Sequence, residues 1–119
     1  MVFQNIQRFK SIPGFNEVIQ DNGAWNQSNR ICALVNKLSE ELVEPDRLKS
    51  DRNRRIATLG RILETYQQIL SENNLMDFSS IQTEAYRMLK NYDDLLYEIQ
   101  DKIRYIMIDE YQDTNYVQE

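Results

Sequence analysis

The chain ends with an apolar run of strand length that has no partner in the rest of the sequence. Residues 105–108 are continuously apolar and stop at Asp109, whereas the apolar residues before Arg104 recur at helical spacing. An isolated parallel strand leaves its backbone N–H and C=O groups unpaired. We therefore predict a strand at about residues 104–108 that needs neighbours in further sequence or in a second copy of the chain, where it would give an artefactual dimer.

The rest of the composition favours helices. The chain has 119 residues with 41% hydrophobic and 28% charged side chains, which are values typical of one globular domain. Two prolines and three glycines are too few for the many turns of an all-β fold. There is no histidine, and the single Cys32 excludes an internal disulfide. Cys32 lies among apolar residues, so we interpret it as a small buried hydrophobe and not as a reactive thiol.

Apolar periodicity predicts helices in the first half of the chain. A short helix is expected from Val2 to about Lys10, and another around Phe15. A longer helix would be capped by Asn26 or Ser28 and closed by Pro45. Its apolar positions are Ile31, Leu34, Val35, Leu38 and Leu42.

Three further helices are predicted after Pro45. The first begins between Asp46 and Asp51 and reaches about Ser71. In the second, the carboxylate of Asp77 caps the N-terminus. The third runs near residues 92–102. The inward faces would consist of Leu59, Ile62, Leu63, Tyr66 and Leu70 in the first, Phe78, Ile81, Ala85, Met88 and Leu89 in the second, and Leu95, Leu96, Ile99 and Ile103 in the third.

No membrane or secretory feature is visible. No run of some 18 apolar residues is present, and the first residues lack the charged and apolar regions of a signal peptide. We predict a soluble, cytoplasmic protein without a membrane partner.

Trp25 allows two interpretations: it anchors a loop on the core, which we favour, or it stacks on a base or a protein partner.

Charge is unevenly distributed, although the net charge is −5. Residues 46–64 carry six basic and three acidic side chains, while residues 65–119 carry four basic and eleven acidic ones. On one continuous helix, Arg47, Arg54 and Arg61 would lie within about 40° of each other. Such a ridge could bind phosphates of a nucleic acid. Alternatively, it is a solvated face whose arginines pair with Asp46, Asp51 and Glu64.

Two adjacent acids follow the apolar run. The carboxyl ends of strands in open α/β sheets are ligand sites, and phosphoryl transfer needs one acid for Mg²⁺ and a group that orients or deprotonates water. We assign these roles to Asp109 and Glu110. No glycine-rich loop ending in Lys-Ser or Lys-Thr is present to hold phosphates. The acids therefore suggest a piece of a larger enzyme.

Two motifs together resemble one protein family. Residues 74–78 read Asn-Leu-Met-Asp-Phe, and residues 105–115 read Tyr-Ile-Met-Ile-Asp-Glu-Tyr-Gln-Asp-Thr-Asn, with Gln118 three positions on. In order and spacing this is similar to the UvrD/Rep-type superfamily 1 ATP-dependent DNA helicases. The second motif, their Walker B motif, is the specific one.

The resemblance implies a mainly α fold for this chain. Residues 1–73 would be part of a multi-helix subdomain inserted in a RecA-like α/β motor domain, and residues 74–119 would be return helices and the Walker B strand. Asp109 would bind Mg²⁺ on ATP, and Glu110 would activate water. Gln112 and Asp113 would link the nucleotide site to DNA-contacting motifs, and Thr114 and Asn115 would start a helix. The resemblance strengthens the phosphate-binding interpretation of the arginines, with single-stranded DNA and duplex junctions as partners.

The sequence departs from the family pattern at Ser79 and Ser80, where many members carry a second acid. The functional prediction is a fragment of a helicase that couples ATP hydrolysis to DNA translocation and unwinding, inactive as an ATPase in isolation. The alternative is an autonomous helical module that binds DNA or a protein without catalysis. The sequence does not distinguish repair from restriction or recombination.

Overall fold

A computed structural model describes residues 1–119 as a helical protein with no β-strand. The mainly α prediction is therefore confirmed. The helices are α1 (Ile6–Lys10), α2 (Phe15–Val18), α3 (Ala24–Glu40), α4 (Pro45–Lys49), α5 (Arg54–Glu72), α6 (Phe78–Asn91) and α7 (Asp93–Lys102), with 3₁₀ turns at Phe3–Asn5 and Tyr111–Asp113. No helix is both long and apolar enough to cross a bilayer.

One hydrophobic core lies within the first 72 residues, which we call the helical bundle. It forms where the apolar stripes of α3 and α5 meet α1, α2 and the N-terminal turn. Its buried members are Val2, Ile6, Phe9, Phe15, Ile19, Ile31, Val35, Ile62, Leu63, Tyr66, Ile69 and Leu70. The predicted inward face of α5 is thus confirmed, apart from the partly exposed Leu59. Cys32 packs against this core, and burial raises the pKa of its thiol, as expected for a structural cysteine.

The start of α3 differs from the prediction. The helix begins at Ala24, after Gly23 with φ 86°, so neither Asn26 nor Ser28 is its cap. The hydroxyl of Ser28 donates to the carbonyl of Ala24 at 2.7 Å, because a serine inside a helix can bond back to the backbone four residues earlier. Residue Pro45 starts α4 and does not close α3.

Trp25 does not anchor a loop on the core. It lies in the first turn of α3, is 65% exposed and meets the ring of Phe3 edge-on, with 5.9 Å between centroids. The favoured interpretation of Trp25 was wrong because this first-turn position of α3 points away from the helices that form the core.

The helix that was predicted to begin between Asp46 and Asp51 and to reach about Ser71 is two helices in the structure. Residues 50–53 separate α4 from α5, and the side chain of Asn53 accepts the backbone N–H of Arg55 at 2.9 Å. Asp51 accepts the N–H of Asn53 at 2.7 Å. Short polar side chains of this kind satisfy backbone groups outside a helix, so they interrupt the helical periodicity locally. The continuous helix on which the three arginines would form one ridge is therefore not present.

Gly60 allows α4 to lie directly on α5. A Cβ atom at this position would be 2.7 Å from the backbone N of Lys49 and 2.8 Å from the carbonyl O of Pro45. Neither backbone atom can move without displacing α4. Alanine is intrinsically the better helix former, so the steric effect and the helix propensity act in opposite directions here.

We expect Gly60→Ala to lower the free energy of unfolding by about 1–3 kcal/mol, since overpacking against backbone outweighs the propensity gain. Urea denaturation followed by circular dichroism measures this difference. The control is Gln68→Ala, on an exposed position of the same helix, where a change within about 0.5 kcal/mol is expected. A stabilised Gly60→Ala variant would show that α4 does not pack as described.

The last third of the chain is largely exposed. Among residues 73–119 only Ser79 is buried, and the side chain of Phe78 is 88% exposed. The predicted apolar face of α6 exists as a stripe, but it points outward because nothing in this chain covers it.

The predicted strand at about 104–108 is not formed. Residues 103–108 have no regular structure, and Tyr105 and Met107 are 91% and 95% exposed. A strand is defined by its pairing to a neighbour, and this chain contains no second strand to pair with.

Candidate functional site

Residues near the carboxyl terminus line an open cleft of about 380 Å³, which we call the acidic cleft. Six residues line it: Ile108, Asp109, Glu110, Asp113, Thr114 and Gln118. The sequence predicted four site residues in this segment. Three of them line the same cleft, namely Asp109, Glu110 and Asp113. The fourth, Gln112, does not line the cleft, but its amide donates a hydrogen bond to the Glu110 carboxylate.

A tight backbone turn sets the relation between the two acids. Glu110 has φ 50° and ψ 44°, a left-handed conformation that is uncommon outside glycine. Its backbone N–H donates to a carboxylate oxygen of Asp109 at 2.9 Å, and its carbonyl accepts the N–H of Asp113 at 2.8 Å. The Asp109 and Glu110 side chains are both exposed, so solvent reaches them freely.

Asn115 attaches the cleft to α6. Its side-chain amide donates to Oε1 of Gln82 at 3.2 Å, and its backbone N–H donates to Oε1 of Gln118 at 3.1 Å. Gln118 returns a bond from its own N–H to Oδ1 of Asn115 at 3.2 Å. The expected helix start at Thr114 and Asn115 is not observed, since Thr114 is extended and residues 116–118 form a turn.

The only atoms in the cleft that could bind a metal are oxygen atoms. Carboxylates, a hydroxyl and an amide oxygen are the ligands that suit Mg²⁺, which also keeps several waters and uses substrate phosphates. No group of three or more His, Cys, Asp or Glu side chains is arranged to hold a metal by itself. These oxygen ligands therefore fit a magnesium ion brought by a nucleotide, with the Asp109 carboxylate as the ligand predicted from the sequence.

The three arginines selected from the sequence lie on two helices. Arg47 is on α4, Arg54 is the first residue of α5, and Arg61 lies seven residues, or about two turns, further on. All three are exposed. Arg54 pairs with Glu17 at 3.4 Å, while Arg47 and Arg61 make no ion pair.

The acids that were expected to neutralise these arginines have other partners. Asp46 and Glu64 both pair with the ammonium of Lys49, at 2.8 and 2.6 Å. Asp51 accepts the backbone N–H of Asn53. The alternative of a solvated face with internal arginine pairs therefore lacks the pairs that it needed, and two guanidinium groups remain available to an anion.

Asp77 caps α6 as predicted and also makes a contact that the sequence did not reveal. One carboxylate oxygen accepts the N–H of Ser80 at 2.7 Å, and the hydroxyl of Ser80 accepts the N–H of Asp77 at 2.8 Å, which completes a reciprocal capping box. The other carboxylate oxygen accepts the hydroxyl of Tyr66, on α5, at 2.5 Å. The serine three positions after Asp77 was the only sequence signal for this arrangement.

The Tyr66–Asp77 contact changes the ionisation of both groups. Burial, followed by the hydrogen bond to Asp77, raises the pKa of Tyr66. Burial disfavours the charged form of Asp77, but the hydrogen bonds from Tyr66 and Ser80 outweigh it, so the pKa of Asp77 is lowered. The pair is therefore a neutral phenol bound to a carboxylate at neutral pH.

Comparisons with known proteins agree on one family. The family described as the UvrD/REP helicase N-terminal domain matches residues 4–119. A "Probable DNA helicase II homolog" of Mycoplasma capricolum is 29% identical over 107 residues, which are 87% of this chain and 14% of that protein. A "Probable DNA helicase" of Mycoplasma pneumoniae is 43% identical over 56 residues, 47% of this chain and 11% of that protein.

A third relative, from Rickettsia conorii, is also named "Probable DNA helicase II homolog". It is 35% identical over 90 residues, 74% of this chain and 14% of that protein. The chain thus spans 11% to 14% of the length of these three relatives. No solved structure matches the chain. Because the family model covers nearly every residue, the chain belongs to the UvrD/REP helicase family, within its N-terminal domain.

Proposed function

We propose that this chain is a segment of an ATP-dependent DNA helicase that couples ATP hydrolysis to translocation along DNA and unwinding of the duplex. The observation that carries the proposal is the family match over residues 4–119 with an Asp109-Glu110 pair in an open cleft. The relatives are named DNA helicases, and each is about seven to nine times longer than its matched part. The phosphate-binding loop would lie in the part of the parent protein outside this chain.

The two acids have different roles in the cleft, one in metal binding and one in the activation of water. The Asp109 carboxylate would hold the magnesium ion of the nucleotide, directly or through water. The ion neutralises phosphate charge when it is bound. Glu110 accepts a hydrogen bond from the attacking water and orients it toward the terminal phosphate. Gln112 donates to the Glu110 carboxylate and keeps it in position, and Asp113 faces the same cleft.

The exposed apolar residues support a two-part organisation. Residues 1–73 form the helical subdomain with its own core, and residues 74–119 belong to the motor domain of the parent protein. Large exposed apolar patches are uncommon on monomeric proteins. The outward stripe of α6 and the run at 105–108 together expose several large apolar side chains. In the parent protein, residues 104–108 would be a strand of the motor sheet covered by its neighbours.

DNA binding by the helical subdomain is the testable part of this proposal within the chain itself. Replacement of Arg47, Arg54 and Arg61 by alanine should weaken binding to a tailed DNA duplex at low salt. The slope of log K against log salt should become shallower by about 0.9 for each phosphate that the variant no longer neutralises. Fluorescence anisotropy of labelled DNA across a salt series measures both quantities.

The matched control removes the same charge elsewhere, at the exposed Lys37, Lys90 and Arg104. This control should retain the salt slope of the unchanged chain. Equal weakening in the two triple variants would show that only net charge matters. If the unchanged chain does not bind at low salt, the arginines are not a DNA site.

A further inference from the structure

Helix α6 is attached to the helical bundle by its polar side. Ser80, Thr83, Glu84 and Arg87 recur at helical spacing and face a cleft of about 290 Å³ between α6, α5 and the end of α3. We call these four residues the polar stripe. The apolar stripe of α6, which includes Phe78, Ile81 and Met88, points away from the bundle. A helix that shared the hydrophobic core of the bundle would instead turn its apolar stripe toward the bundle.

Two side-chain contacts connect α6 to the bundle across this cleft. At the start of α6, the hydroxyl of Tyr66 donates to the Asp77 carboxylate at 2.5 Å. Nearly three turns along the helix, one guanidinium nitrogen of Arg87 donates to Glu44, in the segment before α4, at 2.7 Å. Its other nitrogen donates to Glu84 on α6 itself, also at 2.7 Å. These contacts fix two points, and two points define the direction of a helix.

The Tyr66–Asp77 contact differs from an ordinary surface ion pair, whereas the Arg87 and Glu44 side chains are partly exposed. The ring of Tyr66 is buried in the core of the bundle, so its hydroxyl has a fixed position from which to hold Asp77. The carboxylate of Asp77 is held from the other side by the backbone N–H of Ser80. The capping residue of α6 is therefore attached rigidly to α5, and α6 also contacts α3 directly, with its Ser79 buried.

We propose that Tyr66 and Arg87 are positioning residues that hold α6 in one orientation on the helical bundle, and that this joint couples the bundle to the residues that α6 contacts. This goes beyond the proposed function, and its consequence for catalysis rests on that function. α6 also carries Gln82, which binds Asn115 beside the acidic cleft. If DNA moves the bundle, this path would pass the movement through α6 to Asp109 and Glu110.

The orientation of α6 is tested in the chain as it is. Spin labels at Asn36 on α3 and Asn91 at the end of α6, both exposed, are introduced as cysteines in a Cys32→Ala background. Double electron–electron resonance then gives the distribution of distances between them. The unchanged joint should give one narrow distribution, and the double variant Tyr66→Phe, Arg87→Met should give a broad one.

The controls remove the same groups where they make no such contact. Tyr97→Phe and Arg104→Met change exposed side chains without a hydrogen-bond partner, and their combination should leave the distribution narrow. Asp77→Asn keeps an amide oxygen that caps α6 but makes the Tyr66 contact neutral, so an intermediate width is expected. A narrow distribution in the double variant or in Asp77→Asn, with the circular dichroism unchanged, would overturn the proposal.

The catalytic consequence is tested in the full-length parent protein. Tyr66→Phe with Arg87→Met should leave basal ATP hydrolysis unchanged and lower its stimulation by DNA by about fivefold or more, the usual size of coupling between two sites. Unaltered stimulation would disprove the coupling role of the joint. Absence of any ATP hydrolysis in the unchanged parent would instead disprove the proposed function, while the distance measurement would still decide whether the two residues position α6.

Discussion

Replacement of Glu110 by Gln in the full-length parent protein is expected to lower kcat for ATP hydrolysis by about 10²–10⁴-fold, the usual contribution of a general base. Glutamine keeps the size of the side chain and its hydrogen bond from Gln112, but it cannot accept a proton from the attacking water. Steady-state hydrolysis of ATP with saturating magnesium measures kcat. The KM for ATP should change little, because the acid acts on water and not on the nucleotide.

Two comparisons make this result specific to Glu110. Asp101→Asn removes a carboxylate from an exposed position of α7 outside the acidic cleft, and its kcat should match that of the unchanged parent. Asp109→Asn should instead raise the magnesium concentration that is needed for half-maximal rate, because it weakens a ligand of the ion. Hydrolysis of ATP by the 119-residue chain alone, abolished by Glu110→Gln, would show that the cleft needs no separate phosphate-binding loop.

Replacement of Phe9 by Ala is expected to lower the free energy of unfolding of the chain by about 3–5 kcal/mol. Phe9 is fully buried at the centre of the helical bundle, so alanine leaves a cavity that the surrounding helices can only partly fill. Such a loss is a large part of the whole stability of a domain, which is about 5–15 kcal/mol. Urea denaturation at 25 °C, followed by circular dichroism, gives the difference.

Phe78→Ala provides the matched control, because it removes the same atoms from a side chain that is almost fully in solvent. A change within about 0.5 kcal/mol is expected there. Equal losses at Phe9 and Phe78 would mean that α6 packs by its apolar face, contrary to the structure. A small loss at Phe9 would mean that the first 72 residues do not form the core.

The helices were predictable because their causes are local. Apolar residues at a spacing of three and four place Ile62, Leu63 and Tyr66 on one side of α5 whatever lies around it. The cap of α6 was predictable for the same reason, since Asp77 needs only the free N–H groups of the following turn. The identification of the acidic motif required no more than the order of residues 105–115.

Several of the errors concern how parts of the chain that are not adjacent pack on one another or fail to do so. The break between α4 and α5 allows α4 to fold back over Gly60, a contact over more than ten residues. Trp25 has the composition of a core residue, but its place on α3 puts it outside. The apolar run at 105–108 has the composition of a buried strand and remains exposed, because no partner is present to cover it.

Residue order alone was enough to predict a helical protein, its family and the acids that line one cleft, namely Asp109, Glu110 and Asp113. These features depend on periodicity and on neighbours along the chain. Packing was needed to show that Arg47 and Arg61 are unpaired, that Tyr66 reaches Asp77 and that α6 turns its polar stripe toward the bundle. Those relations are decided by which surfaces exclude water from one another, and a linear pattern does not contain that information.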